Sequence, residues 1–194
     1  MSKKPTLTRE IFRTSRLLEY FSEKELTLQT GREPSRWAEV VVKEFFDNAL
    51  DAAEEHDVLP DITLELTADR IIVTDNGPGI PPKVIKDVLN FAVRASSKDA
   101  YISPTRGQQG NALKTVVAIP YVLSGCESGE LSVMSRGKHH QIRTTVDRIA
   151  QQPVIDHAVT PDDRATAGTR IEVRWPKDSA YAQSWKSAGL DSYK

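Results

Sequence analysis

The sequence has a single cysteine, Cys126, so it can form neither an intrachain disulfide nor a zinc cluster built on several cysteines. Its first twenty residues are too polar for a signal peptide, and it contains no apolar run of the roughly 20 residues that span a bilayer. The 27 acidic residues nearly balance the 26 basic residues, so net charge does not favour a nucleic-acid partner. We therefore expect a cytoplasmic protein without membrane contact.

The length and composition predict one domain with a short segment at each end. A chain of 194 residues with 39% hydrophobic content suits a single globular domain. Residues 1–34 are predicted as an N-terminal arm or helical extension, which ends in a linker containing Gly31 and Pro34. Residues 35–176 are predicted as the main domain, and residues 177–194 as a polar C-terminal tail.

Within the main domain, helical and strand patterns follow one another. Ser35 is predicted as the N-cap of a helix that ends near Glu55, with an apolar residue at every third or fourth position. Further helices are predicted at 82–91 and 111–123, and strands at 61–66, 70–74, 131–134, 140–146 and 169–175. Residues 151–168 are predicted to be largely loop.

The first motif, at residues 43–52, lies on the long helix. Glu44 and Asn48 are four residues apart, so their side chains project to the same side of it. A carboxylate there can take a proton from an attacking water, and an amide oxygen one turn later can bind Mg²⁺. The alternative is a solvated polar face. The nearby apolar stripe disfavours that alternative, because polar groups beside a core need partners.

The second motif begins at Asp75, where a predicted strand ends. Gly77 and Gly79 follow it, and glycine permits both close backbone approach and unusual dihedral angles. A carboxylate accepts a hydrogen bond from an exocyclic amino group and repels a carbonyl oxygen, which favours adenine over guanine. The alternative is an aspartate that only caps its own turn.

The third motif places two glycines and two glutamines directly before a predicted helix: Gly107, Gln108, Gln109 and Gly110. The helix begins near Asn111, and a helix N-terminus offers free N–H groups that suit phosphate. Lys114, one turn inside the helix, is predicted to reach a phosphate. Ser97 and Lys98 lie in the preceding long loop and are predicted to close over the nucleotide. The alternative for each lysine is an exposed surface position.

The three motifs, in this order and spacing, resemble those of the GHKL superfamily of ATP-binding domains. Gyrase-type topoisomerases, the heat-shock chaperone, sensor histidine kinases and mismatch-repair ATPases share this domain. Within the superfamily, the sequence most resembles the ATP-binding domain of the type IIB DNA topoisomerase (topoisomerase VI) B subunit. The likeness spans about residues 35–125 and is strongest at 44–61, 75–82 and 106–110.

The resemblance implies a role for each motif residue. Glu44 would be the catalytic base, Asn48 the Mg²⁺ ligand and Asp75 the carboxylate that reads adenine. Thr169 is similar to the threonine that reaches adenine through water. Ala112 stands where many relatives carry a glycine. The other nucleotide-binding residues that the motifs imply are Asp51, Gly77, Gly79, Ile80, Ser97, Lys98, Gly107, Gln108, Gln109, Gly110, Asn111, Ala112 and Lys114.

The resemblance also implies a fold and an activity. The fold would be an α/β (α+β) two-layer sandwich, the Bergerat fold, with helices packed on one face of a mixed, mostly antiparallel sheet. The activity would be Mg²⁺-dependent binding and hydrolysis of ATP, with ATP driving homodimerisation through exchange of residues 7–28. A separate DNA-cleaving subunit would connect the domain to DNA indirectly.

Type IIB B subunits continue into a transducer domain that contributes a lysine to the terminal phosphate, whereas this sequence ends at Lys194. We therefore expect ATP binding by this chain, with turnover dependent on such a domain or on a partner. The alternative is a nucleotide-gated interaction module without useful hydrolysis of its own. A histidine-kinase activity is disfavoured, because no helix with a phosphoacceptor histidine precedes the motifs.

The histidines give no metal motif. His139 and His140 are neighbours in a predicted strand, so they point to opposite faces. Both are predicted to be surface residues, and His157 is predicted to be isolated.

Overall fold

The structure is a computed structural model that describes residues 18, 20–67, 69–91, 112–164 and 167–176, with the backbone alone at 112 and 113. The helices are α1 (Glu23–Thr30), α2 (Trp37–Glu55), α3 (Pro82–Val88) and α4 (Ala112–Leu123). The strands are β1 (Ile62–Thr67), β2 (Arg70–Asp75), β3 (Gly129–Ser135), β4 (Lys138–Asp147), β5 (Gln152–Pro161) and β6 (Thr169–Arg174). Within these residues, no helix is both long and apolar enough to cross a membrane.

The strands form one sheet in the order β1-β2-β6-β3-β4-β5, and every neighbouring pair is antiparallel. The last strand of the chain, β6, therefore lies in the middle, between β2 and β3. Its first residue, Thr169, is paired with Asp75 on one side and with Ser135 on the other. This insertion brings together the C-terminal ends of β2 and β3 and the N-terminal end of β6.

The helices cover one face of this sheet, which confirms the predicted two-layer fold. Val73 and Val173 of the sheet share a buried core with Phe45 of α2 and Val116 of α4. Burial of each such side chain contributes about 1.5–3 kcal/mol. On the other face, the central row of cross-strand partners from β1 to β4 is polar except at Ile72 and consists of Glu65, Ile72, Glu172, Ser132 and Gln141.

Helix α2 begins one residue later than the sequence predicts. A 3-10 turn at Pro34–Arg36 precedes it, and Arg36 occupies the cap position without a capping side chain. The prediction of Ser35 as N-cap was therefore wrong. Because proline pre-sets a helical φ, Pro34 starts the turn before Ser35 can act as a cap.

Strand β5 was missed by the sequence patterns, which predicted a loop at 151–168. Among the described strands, β5 lies at the edge of the sheet and is paired only with β4. Its alternate positions are exposed, and it begins and ends near Pro153 and Pro161. An edge strand tolerates proline where the missing N–H would face away from its neighbour. The Asp162 N–H, one residue after Pro161, donates to the Gly137 carbonyl of the neighbouring hairpin.

The described residues before position 35 contribute to the same core as the main domain. Phe21 is 6% exposed and Leu26 is fully buried. The Phe21 ring lies 4.9 Å from the ring centroid of Phe91 and 5.6 Å from that of Tyr121. This segment therefore packs against the ends of α3 and α4, and the domain boundary at residue 34 stays a prediction.

Candidate functional site

Helix α2 presents three polar side chains at four- and three-residue steps, Glu44, Asn48 and Asp51. The Glu44 side chain is 17% exposed and lies 4.0 Å from the ammonium of Lys43. Asp51 is 5% exposed. The side-chain nitrogen of Asn48 is buried and has no hydrogen-bond partner among the described residues. Leaving a buried donor unsatisfied costs about 1–3 kcal/mol, so this amide is suited to a ligand that offers an acceptor.

The Asp75 carboxylate is held at the end of β2 by two backbone donors. Its Oδ1 accepts a hydrogen bond from the Gly77 N–H at 2.8 Å and from the Thr169 N–H at 3.2 Å. Burial raises the pKa of Asp75, while the hydrogen bonds from Gly77 and Thr169 offset part of that rise. The structure therefore brings Thr169, predicted only by resemblance, into direct contact with Asp75.

The loop after β2 lies against α2. A Cβ atom at Gly77 would be 3.0 Å from Asp75 Oδ1 and 3.7 Å from the Cβ of Ala52. Ala52 lies one helical turn beyond Asn48 on α2. The first and second motifs therefore meet, and glycine at position 77 leaves space between the carboxylate and the helix.

The other side of this loop contacts the β3–β4 turn, which sequence reasoning missed. The Ile80 N–H donates to the Ser135 hydroxyl at 2.8 Å, and that hydroxyl donates to the Gly168 carbonyl at 3.2 Å. Arg136 Nε donates to the carbonyls of Pro78 and Gly79, both at 3.1 Å. The run Ser135–Gly137 indicates only a turn, so no signal in the sequence pointed to these contacts.

The third motif is mostly outside the described residues. Ser97, Lys98, Gly107, Gln108, Gln109, Gly110 and Asn111 all lie there, and Ala112 is described only as the first backbone position of α4. The predicted roles of these residues stay predictions.

Lys114 is buried, with only 2% of the residue exposed. Its ammonium donates to the Asn90 carbonyl at 2.9 Å and lies 5.8 Å from the ring centroid of Phe91. It therefore joins the start of α4 to the end of α3. Its predicted role as a phosphate ligand stays a prediction, and in this structure the group is directed at Asn90.

Two histidines, the buried His140 and the partly exposed His157, form a pair on the neighbouring strands β4 and β5. The Nδ1 atom of His140 lies 2.9 Å from Nε2 of His157, and the stacked rings are 5.1 Å apart. His140 is 1% exposed, so its prediction as a surface residue was wrong, as was the prediction that His157 is isolated. The register pairs His157 with Ile142, two residues from His140, so the two rings are diagonal neighbours. Among the described residues, no cluster of three or more His, Cys, Asp or Glu side chains could hold a metal.

Comparison with known proteins gives relatives among the DNA topoisomerases. The B subunit of the type 2 DNA topoisomerase 6 of Natronomonas pharaonis is 37% identical over 137 residues, which cover 68% of this chain and 17% of that protein. The corresponding protein of Archaeoglobus fulgidus is 30% identical over 173 residues, covering 83% of this chain and 29% of that protein. The chain thus spans less than a third of the length of either relative.

Two solved structures are similar at low identity. The ATPase domain of Aquifex aeolicus MutL, complexed with ADP, has a TM-score of 0.36 and 21% identity, covering 76% of this chain and 45% of that one. The 43K ATPase domain of Thermus thermophilus gyrase B, in complex with an aminocoumarin, has a TM-score of 0.37 and 19% identity, covering 92% of this chain and 42% of that one.

The family described as histidine kinase-, DNA gyrase B- and HSP90-like ATPases matches residues 34–179. The match covers more than half of the chain and contains all three motifs. It confirms the resemblance that the motifs indicated. The chain therefore belongs to this family of ATPase domains, the GHKL superfamily.

Proposed function

We propose that this chain is a Mg²⁺-dependent ATP-binding and ATP-hydrolysing domain of the topoisomerase VI B type, in which ATP promotes dimerisation. Family membership supports ATP binding in general. For this chain, the observation that carries the proposal is a half-buried carboxylate and a buried, unpartnered amide nitrogen on two segments that pack against each other. Asp75 and Asn48 supply these groups, and the contact between Gly77 and Ala52 connects their segments.

The Asp75 end of the site suits an adenine base. Both backbone donors bond Oδ1, so neither of them uses Oδ2. An ionised carboxylate oxygen accepts from the exocyclic amino group of adenine and repels the carbonyl oxygen that guanine carries. Gly77 leaves the space between Asp75 and Ala52 without a side chain, and a flat ring could lie there.

The Asn48 end suits a hydrated cation and phosphate oxygens. The side-chain oxygen of Asn48 would hold Mg²⁺, which prefers hard oxygen ligands, and the buried N–H needs an acceptor such as a phosphate oxygen. When bound, Mg²⁺ would offset negative charge on the phosphates. The residues present therefore fit this ion.

Glu44 is the proposed general base. It lies one turn before Asn48 on α2, and its side chain is largely shielded from water. From there the carboxylate would orient a water molecule toward the terminal phosphate and accept its proton as the new P–O bond forms. The bond between the terminal phosphorus and the bridging oxygen breaks in the same step, and ADP leaves.

Substitution of Glu44 tests this assignment. We expect Glu44→Gln to keep ATP affinity within about threefold and to lower turnover by about a hundredfold or more, because general bases contribute about 10²–10⁴-fold. Calorimetry measures the affinity, and phosphate release measures the turnover. Asp47→Asn is a matched control on the same helix, since Asp47 pairs with Lys43 at 2.5 Å. Equal loss of binding and turnover in Glu44→Gln would contradict the role of base.

A second candidate function is a nucleotide-gated interaction module without useful hydrolysis. The position of Lys114, whose ammonium donates to the Asn90 carbonyl, favours it. Phosphate release and dimer formation, measured with and without ATP and a candidate partner, separate the two functions. ATP-dependent association with no turnover in any of these conditions would support the interaction module. By similarity to the relatives, the proposed partner is a DNA-cleaving subunit, through which the domain would contact DNA indirectly. The proposed location is the cytoplasm.

A further inference from the structure

Ser135, the last residue of β3, contributes a buried hydroxyl beside the candidate site. Ser135 is fully buried, and its Oγ both accepts from the Ile80 N–H at 2.8 Å and donates to the Gly168 carbonyl at 3.2 Å. This hydroxyl thus uses its donor and an acceptor on backbone groups of two different segments. The residues that it joins are 88 positions apart in the sequence, since one segment follows β2 and the other precedes β6.

These two segments are the ones that orient the Asp75 carboxylate. The loop that contains Ile80 also carries the Gly77 N–H, and the turn that contains Gly168 continues into the Thr169 N–H. The two segments are further joined by the Gly168 N–H, which donates to the Gly77 carbonyl at 3.2 Å. The Ser135 hydroxyl therefore holds together the two donors that fix the position of Oδ1.

Arg136 supports the same loop from outside. Its Nε is shared between the carbonyls of Pro78 and Gly79, each at 3.1 Å. The packing is tight, because a Cβ at Gly79 would lie 2.7 Å from Ser135 Oγ and 3.0 Å from Arg136 Cγ. The turn therefore forms a wall behind the loop and restricts its movement.

We propose that Ser135 and Arg136 are positioning residues that set the selectivity of this site for adenine over guanine, acting through Asp75. This inference rests on the proposed nucleotide site. The physical reason is that a carboxylate discriminates between an amino group and a carbonyl only while its direction is fixed. If the two segments separate, Asp75 can rotate, and guanine is then rejected less strongly.

The test compares calorimetric affinities for ATP and GTP in the full chain. We expect Ser135→Ala to weaken ATP binding about tenfold, equivalent to about 1.4 kcal/mol, and to weaken GTP binding much less, so that the ATP/GTP ratio falls. Ser132→Ala is the matched control, because Ser132 lies on the same strand but bonds His139 on the opposite face, at 2.7 Å. We expect this control to keep both affinities.

A second variant keeps the test decisive if Ser135→Ala does not fold. Arg136→Lys retains the charge of an exposed side chain but loses the Nε donor, and we expect the ATP/GTP ratio to fall about twofold to fivefold. Asp75→Asn supplies a double-mutant cycle. In its background, Ser135→Ala and Arg136→Lys should leave the ratio unchanged if they act through the carboxylate.

The outcomes separate this inference from the proposed function. A wild-type chain that binds no nucleotide refutes both. If the wild type prefers ATP but the variants keep the wild-type ATP/GTP ratio, or lower both affinities equally, the inference is refuted and the proposed function is not. A ratio that falls in the variants but is additive with Asp75→Asn would also refute it, because the effect would then bypass Asp75.

Discussion

Substitution of Gly168 by alanine is the most severe local change that the geometry of the site predicts. Gly168 has φ +70°, in the left-handed region, and a Cβ at this position would lie 1.9 Å from the Asp75 carbonyl oxygen. The two segments would have to separate by about 1.5 Å to reach an ordinary contact of 3.4 Å. Such a shift would break the bond between the Thr169 N–H and Asp75 Oδ1, which is already 3.2 Å long.

The magnitude follows from two separable costs. A left-handed conformation costs a non-glycine residue about 1–2 kcal/mol. Forced separation of packed backbone costs about 1–3 kcal/mol more, by analogy with overpacked cores. We therefore expect Gly168→Ala to lower the free energy of unfolding by about 2–5 kcal/mol. A domain near the middle of the ordinary stability range, about 10 kcal/mol, remains folded after that loss.

Gly125→Ala is the matched control, because Gly125 has φ +76° and nothing lies within 4 Å of the Cβ that would be added. Its cost should therefore be the conformational one alone. Urea unfolding measures both variants, and calorimetry measures ATP affinity, which should fall about tenfold or more in Gly168→Ala, or about 1.4 kcal/mol. The control should keep its affinity. If both variants were equally stable and bound ATP equally well, the contact between Gly168 and Asp75 would not be rigid, and the reasoning would fail.

Two pH dependences follow from the shifted side-chain pKa values. Because burial raises the pKa of Asp75, ATP affinity should begin to fall at a pH above about 3.9, the usual aspartate pKa, when the solution is acidified. Calorimetry should show this loss in the wild type but not in Asp75→Asn, and the comparison of the two cancels the titration of ATP itself. Burial lowers the pKa values of His140 and His157, so the unfolded chain binds more protons and stability should be lost as pH falls below about 6.5. Urea midpoints from pH 8 to 5 should show this slope in the wild type and in the exposed-site control His56→Gln. The slope should be smaller in His157→Gln, which keeps the buried His140, and an unchanged slope there would contradict the assignment.

Local patterns in the sequence predicted the fold where structure depends on near neighbours. Helix α2 has an apolar residue at every third or fourth position. Of the stripe predicted to be buried, Trp37, Val41, Phe45 and Ala49 are buried, whereas Ala52 is partly exposed. The patterns failed at β5, which contains Pro153 and Pro161, although strand interiors disfavour proline. Those prolines are acceptable only because β5 lies at the edge of the sheet, and no local pattern states which strand will be the edge.

The candidate site divides in the same way. The spacing of Glu44 and Asn48 along one helix places them together whatever the rest of the chain does. The contact between Asp75 and Thr169 joins residues 94 positions apart and exists only because β6 inserts beside β2. Thr169 was therefore reached only by resemblance, and Ser135 was not reached at all.

The amino-acid sequence by itself determined the chemistry of this protein: a carboxylate and an amide one helical turn apart, an aspartate at a strand end, and motifs in an order that assigns the family. Tertiary structure alone decided which backbone groups orient Asp75, that Lys114 turns toward Asn90, and that His140 and His157 meet. The reason is that a helix relates residues through a fixed local repeat, whereas strand pairing and burial depend on which distant segments compete for the same position.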